Sequence, residues 1–193
     1  MRLPVVIREA RACRVCEADL PEGPRPLVQG SSASGILIIG QAPGAAAHAS
    51  GVPWDDRSGD RLRDWLGVTP DQFYDANVMA LMPMGFCYPG TGRSGDLAPR
   101  PECAPLWHDR MIRAFKSVRL TVIVGQYAFD RYLGEEFGSI TEAARAHTAL
   151  LPARIALPHP SPRNNIWLKK NPWFERRALP RLRARVAALI GGG

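Results

Sequence analysis

Two short apolar runs constrain this chain more than any other feature. Gly35-Ile36-Leu37-Ile38-Ile39-Gly40 and Leu120-Thr121-Val122-Ile123-Val124-Gly125 repeat one pattern, an apolar stretch closed by glycine. Such runs are the signature of strands buried on both faces, which belong to parallel sheets with helices packed above and below. A chain holding two of them must supply helices to cover them.

The remaining sequence does so. Residues 58–67 read as a helix with Leu62, Trp65 and Leu66 on one face and Gly67 as its stop. Residues 73–81 read as a second strand, which places Asn77 inside an apolar run. Residues 82–102 hold several prolines and glycines and read as a long ordered loop. Residues 104–118 and 126–133 read as helices, and Arg154-Ile155-Ala156-Leu157 as a shorter fourth strand. The tail, residues 173–190, reads as a basic helix interrupted near Pro180. The first 30 residues, with Pro21, Pro24 and Pro26, read as an irregular arm with a short helix at most. Alternating strands and helices predict a three-layer α/β/α domain on a largely parallel four-stranded sheet, spanning residues 1–193 as one unit. In such folds ligands sit at the carboxyl ends of the strands, so the loops after the first, second and fourth strands are the places to search for chemistry.

Composition narrows the class. Hydrophobic residues make up 46% and charged residues 22%, ordinary values for a packed protein. No stretch approaches the roughly 20 apolar residues of a bilayer span, and the start is too soon charged for a signal peptide. The expectation is a cytoplasmic monomer with no membrane contact. The net charge of +7 favours polyanionic partners. Positive charge concentrates late, at Lys169, Lys170, Arg176, Arg177, Arg181, Arg183 and Arg185.

Disulfides are disfavoured in that compartment, so the four cysteines point elsewhere. Cys13 and Cys16 form a C-x2-C pair, and Cys87 and Cys103 form a C-x15-C pair. Two pairs of soft thiolate ligands suit a tetrahedral zinc or an iron–sulfur cluster, and the spacing alone does not choose between them.

Three strand-end features carry candidate chemistry. The turn Gly40-Gln41-Ala42-Pro43-Gly44 follows the first strand but lacks the glycine and lysine pattern of a phosphate loop. A buried asparagine at 77 would need partners for its carbonyl and its amide, and a planar cyclic amide supplies both. His159-Pro160-Ser161-Pro162-Arg163-Asn164 places one histidine at a strand end among rigidifying neighbours.

The turn at 40–44 and the segment at 159–164 together resemble the two signature motifs of the uracil-DNA glycosylase superfamily. The cysteine arrangement resembles its iron–sulfur (family 4) branch. Gly51-Val52-Pro53-Trp54, Arg57-Ser58-Gly59 and Asn77-Val78 match further elements of that branch in order, so the resemblance covers about residues 10–190. It implies a monofunctional glycosylase that removes uracil or another deaminated base from DNA in base excision repair. It also implies a 4Fe-4S cluster on Cys13, Cys16, Cys87 and Cys103, with residues 1–30 as a cluster-binding arm and structural zinc as the alternative. By the same resemblance His159, Gln41 and Asn77 form the catalytic set. Gly40, Ala42, Pro43, Gly44 and Ser161 line the pocket, Trp54 stacks on the extruded base and Asn77 reads its edge. Arg163 is the wedge that fills the gap in the duplex, with Lys169 and Lys170 on the DNA backbone.

The pattern departs from the superfamily in its carboxylates. Where one branch has aspartate at the third place of the first motif stands Ala42. Where the iron–sulfur branch has glutamate at the second place stands Gln41, and Ala45-Ala46-Ala47 follow where acids are frequent. His48, Asp55 and Asp56 are the nearby substitutes. The spacing from Asn77 to Cys87 is longer than usual, and the second motif is closer to the single-strand-selective branch. Two rival readings follow. One is a module that recognises damaged DNA with little turnover, for which His48 or His108 could trap a sugar. The other is a zinc-stabilised nucleotide-binding protein.

Overall fold

The computed structural model describes residues 2–192. Its centre is a sheet of four parallel strands in the order β2-β1-β5-β6. These are β1 (Ile36–Ile39), β2 (Met79–Leu81), β5 (Leu120–Val124) and β6 (Arg154–Leu157). A two-stranded hairpin, β3 (Thr91–Gly92) and β4 (Gly95–Asp96), stands apart from it. The predicted three-layer α/β architecture is the one observed.

Alternation along β1 explains the layers. Leu37 and Ile39 join one core; Ile36 and Ile38 join the other. On the first face lie α1 (Leu3–Arg11), α5 (Cys103–Ala114), α6 (Gln126–Tyr132) and α7 (Ile140–Arg145), contributing Val6, Met111, Phe129 and Ala143. On the second lie α3 (Arg57–Leu66) and α10 (Leu179–Ile190), contributing Leu62, Leu66, Leu182 and Val186. All four of these last side chains are at most 1% exposed, and each such burial stabilises by about 1.5–3 kcal/mol.

The chain leaves β1 for β2 at one edge and returns to β5 on the other side of β1. Strand order therefore reverses between β1 and β5, and a crevice opens at their carboxyl ends. The register Ile39↔Ile123 and Val124↔Leu157 sets the ends of β1, β5 and β6 side by side.

Several elements differ from the sequence reading. Residues 73–81 are not one strand. Phe73 closes into α4 (Pro70–Tyr74), whose start is fixed by a reciprocal capping box of Thr69 and Gln72. Two capped donors outweigh the apolar alternation, and β2 shrinks to three residues. The N-terminal arm holds a nine-residue helix that buries Leu3, Val6, Ile7 and Ala10. Four short helices passed unread: α2 (Ala45–Ser50), α7, α8 (His147–Leu150) and α9 (Asn165–Lys170). At Pro180 the chain stays helical. The missing N–H and the bulk of the proline ring are absorbed upstream by a π-helical turn, Phe174–Ala178.

Candidate active site

The crevice holds a pocket of about 430 Å³ lined by Gln41, Ala42, Pro43, Gly44, Trp54 and His159 among others. That size suits one small planar ligand. Two glycines at strand ends make it. Gly40 follows β1, and a Cβ there would lie 2.5 Å from Trp54 Cζ2. Gly125 follows β5 at φ +83°, and a Cβ there would press on the His159 ring at 3.3 Å. The strand ends are bare so that two rings can lie across them. Those rings, Trp54 and His159, are stacked with centroids 5.9 Å apart and planes 27° off parallel.

Trp54 is held in strain. Its φ of +60° is the only positive value among the described non-glycine residues, a conformation that costs about 1–3 kcal/mol. Gly59 permits it, because a Cβ at 59 would collide with the Trp54 carbonyl. Arg63 donates to that carbonyl at 3.4 Å and to the Tyr74 hydroxyl at 3.1 Å. The Arg57-Ser58-Gly59 element thus serves to aim the indole.

His159 is positioned by its own loop. Asn164 Nδ2 donates to the His159 carbonyl at 2.7 Å, and the Ser161 hydroxyl accepts from the Arg163 N–H at 3.2 Å. Arg61 donates to the Ser161 carbonyl at 3.2 Å and to Asn165 Oδ1 at 2.9 Å. Burial pushes the His159 pKa below the usual histidine range, against the opposing charge of Asp56. The imidazole is therefore neutral at physiological pH, and one ring N–H is available to donate.

Of the other sequence-predicted residues, Gly40 lies under Trp54 and Ser161 lines the pocket. Asn77 does not reach it. It occupies an exposed turn before β2, where its N–H donates to Asp75 Oδ1 at 2.8 Å and its Oδ1 accepts from the Ser31 hydroxyl. From there to Pro83, the pocket residue after β2, the chain runs about 20 Å. Arg163 lines the pocket, and its guanidinium donates to the Ser94 carbonyl at 2.5 Å. Lys169 and Lys170 end α9 on the surface. Sequence reasoning missed Arg61 and Asp96. Asp96 enters the pocket on the β3–β4 hairpin, far in sequence from either motif, and only the Ser-Gly pair of the turn signalled the hairpin.

His108 and His48 stand outside the pocket. His108 is fully buried, with Nδ1 paired to the Tyr132 hydroxyl at 2.5 Å and Nε2 to the Pro83 carbonyl at 3.0 Å. It pins the loop after β2 from behind. Burial drives its pKa from 6.5 to about 4. The unfolded chain therefore takes up this proton first as pH falls, so stability is lost between pH 6.5 and about 4. The total is about 3 kcal/mol, from 1.36 kcal/mol per unit. Urea denaturation of the wild type and of His108→Gln, at neutral pH and at about pH 4.5, should show this extra acid-side loss in the wild type alone.

All four cysteines line one further pocket, with Arg100, Phe86 and Trp107. Cys13 and Cys16 follow α1, Cys87 lies in the loop after β2 and Cys103 opens α5. No group of three or more His, Cys, Asp or Glu among the described residues is set to hold a single metal ion. Cys103 Sγ accepts from the Phe86 N–H at 3.3 Å. The Trp107 indole N–H and Arg100 Nε are buried without a partner among the described residues. Soft ligands and orphaned donors together fit a thiolate-held group with acceptor atoms of its own. Burial pushes the Cys87 thiol up to about 11 and the Cys103 thiol up to about 12, so without a cation both are neutral and poor nucleophiles.

The model of the Uracil DNA glycosylase superfamily matches residues 27–183. The chain belongs to this superfamily. It is also 27% identical over 128 residues to the type-4 uracil-DNA glycosylase of Archaeoglobus fulgidus. That match takes in 64% of this chain and 59% of the relative's length. The superfamily match begins at Leu27, after Cys13 and Cys16, and takes in both strand-end motifs and the hairpin. No helix among the described residues is long and apolar enough to cross a membrane.

Proposed function

We propose that this protein is a monofunctional DNA glycosylase that hydrolyses the bond between uracil, or another deaminated base, and its deoxyribose in base excision repair. The observation that carries this reading is the Trp54–His159 pair across the strand ends of a pocket of about 430 Å³. A base reaches such a pocket only after extrusion from the stack, which costs a few kcal/mol. Stacking on Trp54 offsets that by about 1–3 kcal/mol. His159 donates its N–H to the base oxygen that gains charge as the glycosidic bond breaks, and Gln41 lines the same site. Asn77 has no part in this arrangement.

Arg163, Lys169 and Lys170 are proposed to contact the DNA. Cys13, Cys16, Cys87 and Cys103 are proposed to hold a 4Fe-4S cluster, supported by the pocket that all four line and by the unpartnered Trp107 and Arg100 donors. When bound, the cluster would tie the N-terminal arm to the loop after β2. No step of base removal runs through it.

The absence of a carboxylate at Gln41 and Ala42 favours a second reading, a module that binds uracil-containing DNA without turnover. Chromatography of soluble products from single- and double-stranded uracil-containing DNA separates the two. Free uracil is the expected product; a tight complex with no free base would favour the second reading. Trp54→Ala is expected to weaken binding of uracil-containing DNA by about 1–3 kcal/mol, roughly 5- to 150-fold. Titration against a thymine control, which should not change, checks this.

A further inference from the structure

The glycosylase reading leaves the attacking water without an activating group, since neither Gln41 nor Ala42 can accept its proton. We propose that Asp96, delivered into the pocket by the β3–β4 hairpin, is the catalytic carboxylate that takes this proton. The inference rests on the proposed base removal and names the residue that completes it.

Three carboxylates lie near enough in sequence or space to be compared. Asp55 and Asp96 are both exposed, but Asp55 does not line the pocket. Asp56 lines it, but its Oδ1 caps α3 by accepting from the Gly59 N–H at 2.8 Å. Asp96 lines the pocket, and among the described residues no side-chain hydrogen bond engages its carboxylate, so both oxygens are available to a water. The two carboxylates converge on Gly44. A Cβ there would lie 3.2 Å from Asp96 Oδ2 and 3.7 Å from Asp56 Oδ2. Gly44 closes the turn that carries Gln41 and Ala42, so Asp96 reaches from the hairpin to the edge of that turn.

The hairpin is fixed, as a catalytic position requires. Arg163 Nη1 donates to the Ser94 carbonyl at 2.5 Å, and the Leu97 N–H donates to the Gly90 carbonyl at 2.8 Å. Gly95, at φ +122°, leaves room for the Arg163 guanidinium, which a Cβ would strike. Arg163, one residue group with His159 in the second motif, therefore joins that motif to the hairpin. Burial raises the Asp96 pKa; the Arg163 charge lowers it and Asp56 raises it. A carboxylate raised in this way is a better base than a free one.

The step balances as a hydrolysis. The C1′–N1 bond breaks, and its electron pair passes to uracil, held at its oxygen by the His159 N–H. The water oxygen bonds to C1′, and its proton passes to Asp96 and then to solvent or to the departing uracil anion. A carboxylate that accepts a proton from a positioned water is worth about 10²–10⁴-fold in rate.

The test uses the full-length protein and the variants Asp96→Asn, Asp96→Glu and Asp55→Asn. Single-turnover uracil release is measured beside binding to an uncleavable oligonucleotide containing 2′-fluoro-2′-deoxyuridine. Asp96→Asn should lose about 10²–10⁴-fold in rate with unchanged binding. Asp96→Glu should recover part of the rate, and Asp55→Asn should match wild type. An Asp96→Asn protein as fast as wild type overturns the inference alone, as does a rate loss matched by an equal loss of binding. A wild type that releases no uracil overturns the glycosylase reading and this inference with it.

Discussion

Replacing His159 with alanine is expected to slow base release by about 10²–10³-fold, the effect of deleting one preorganised donor to developing negative charge. The ring lies against Gly125 and Trp54, with its carbonyl held by Asn164. Its N–H therefore needs no reorganisation when the uracil oxygen gains charge. Burial keeps the imidazole neutral at physiological pH, so the donor is an imidazole and not an imidazolium. His159→Gln, which keeps an N–H on a less rigid arm, should retain more activity than His159→Ala. Because His159 lies at the surface of a pocket and not in either core, both variants should melt close to wild type. Single-turnover rates with matched melting curves check both statements. Equal rates in wild type and His159→Ala would remove this histidine from the chemistry.

The second large effect concerns the cysteines. Cys103→Ser is expected to abolish bound iron and acid-labile sulfide and to lower the melting temperature well beyond the effect of a thiol-to-hydroxyl exchange. The reason is positional. The four thiols come from the arm after α1, the loop after β2 and the start of α5. A group bound by all of them would add a further tie among three segments that already meet through the shared α1–α5 core and the Arg110–Glu9 and Arg100–Asp19 ion pairs. Binding free energy of such a group is folding free energy. Metal analysis of purified protein, beside thermal melts of wild type, Cys87→Ala and Cys103→Ser, checks this. Zinc in place of iron would change the identity of the group but not the ligand set. A metal-free, fully stable wild type would remove it altogether.

Most of the sheet was legible in the sequence because its strands are buried on both faces. Ile36–Ile39, Leu120–Val124 and Arg154–Leu157 sit where their apolar runs end in glycine or proline. The failure at residues 73–81 has one cause. Phe73 is fully buried, as a strand residue would be, but it is buried from a helix started by the Thr69–Gln72 box. That error carried Asn77 into the sheet, and the structure returns it to an exposed surface turn outside the pocket lining. Residue motifs pointed to Trp54 and His159, which the structure stacks in one pocket, but not to what holds them there. The support comes from Gly40, Gly59 and Gly125, whose role depends on neighbours distant in sequence. Asp96 was illegible for the same reason. Its carboxylate meets Gly44 across 52 residues, a contact that no local pattern encodes.

The Trp54–His159 pocket is expected to break glycosidic bonds. The most direct test is incubation of purified protein with a labelled oligonucleotide containing one uracil, followed by alkali and a denaturing gel. Scission at the uracil position is expected with wild type, strongly reduced with His159→Ala and unaffected by Asn77→Ala. Intact DNA after wild-type treatment, with the protein retained on uracil-containing strands, would contradict it and leave recognition without turnover.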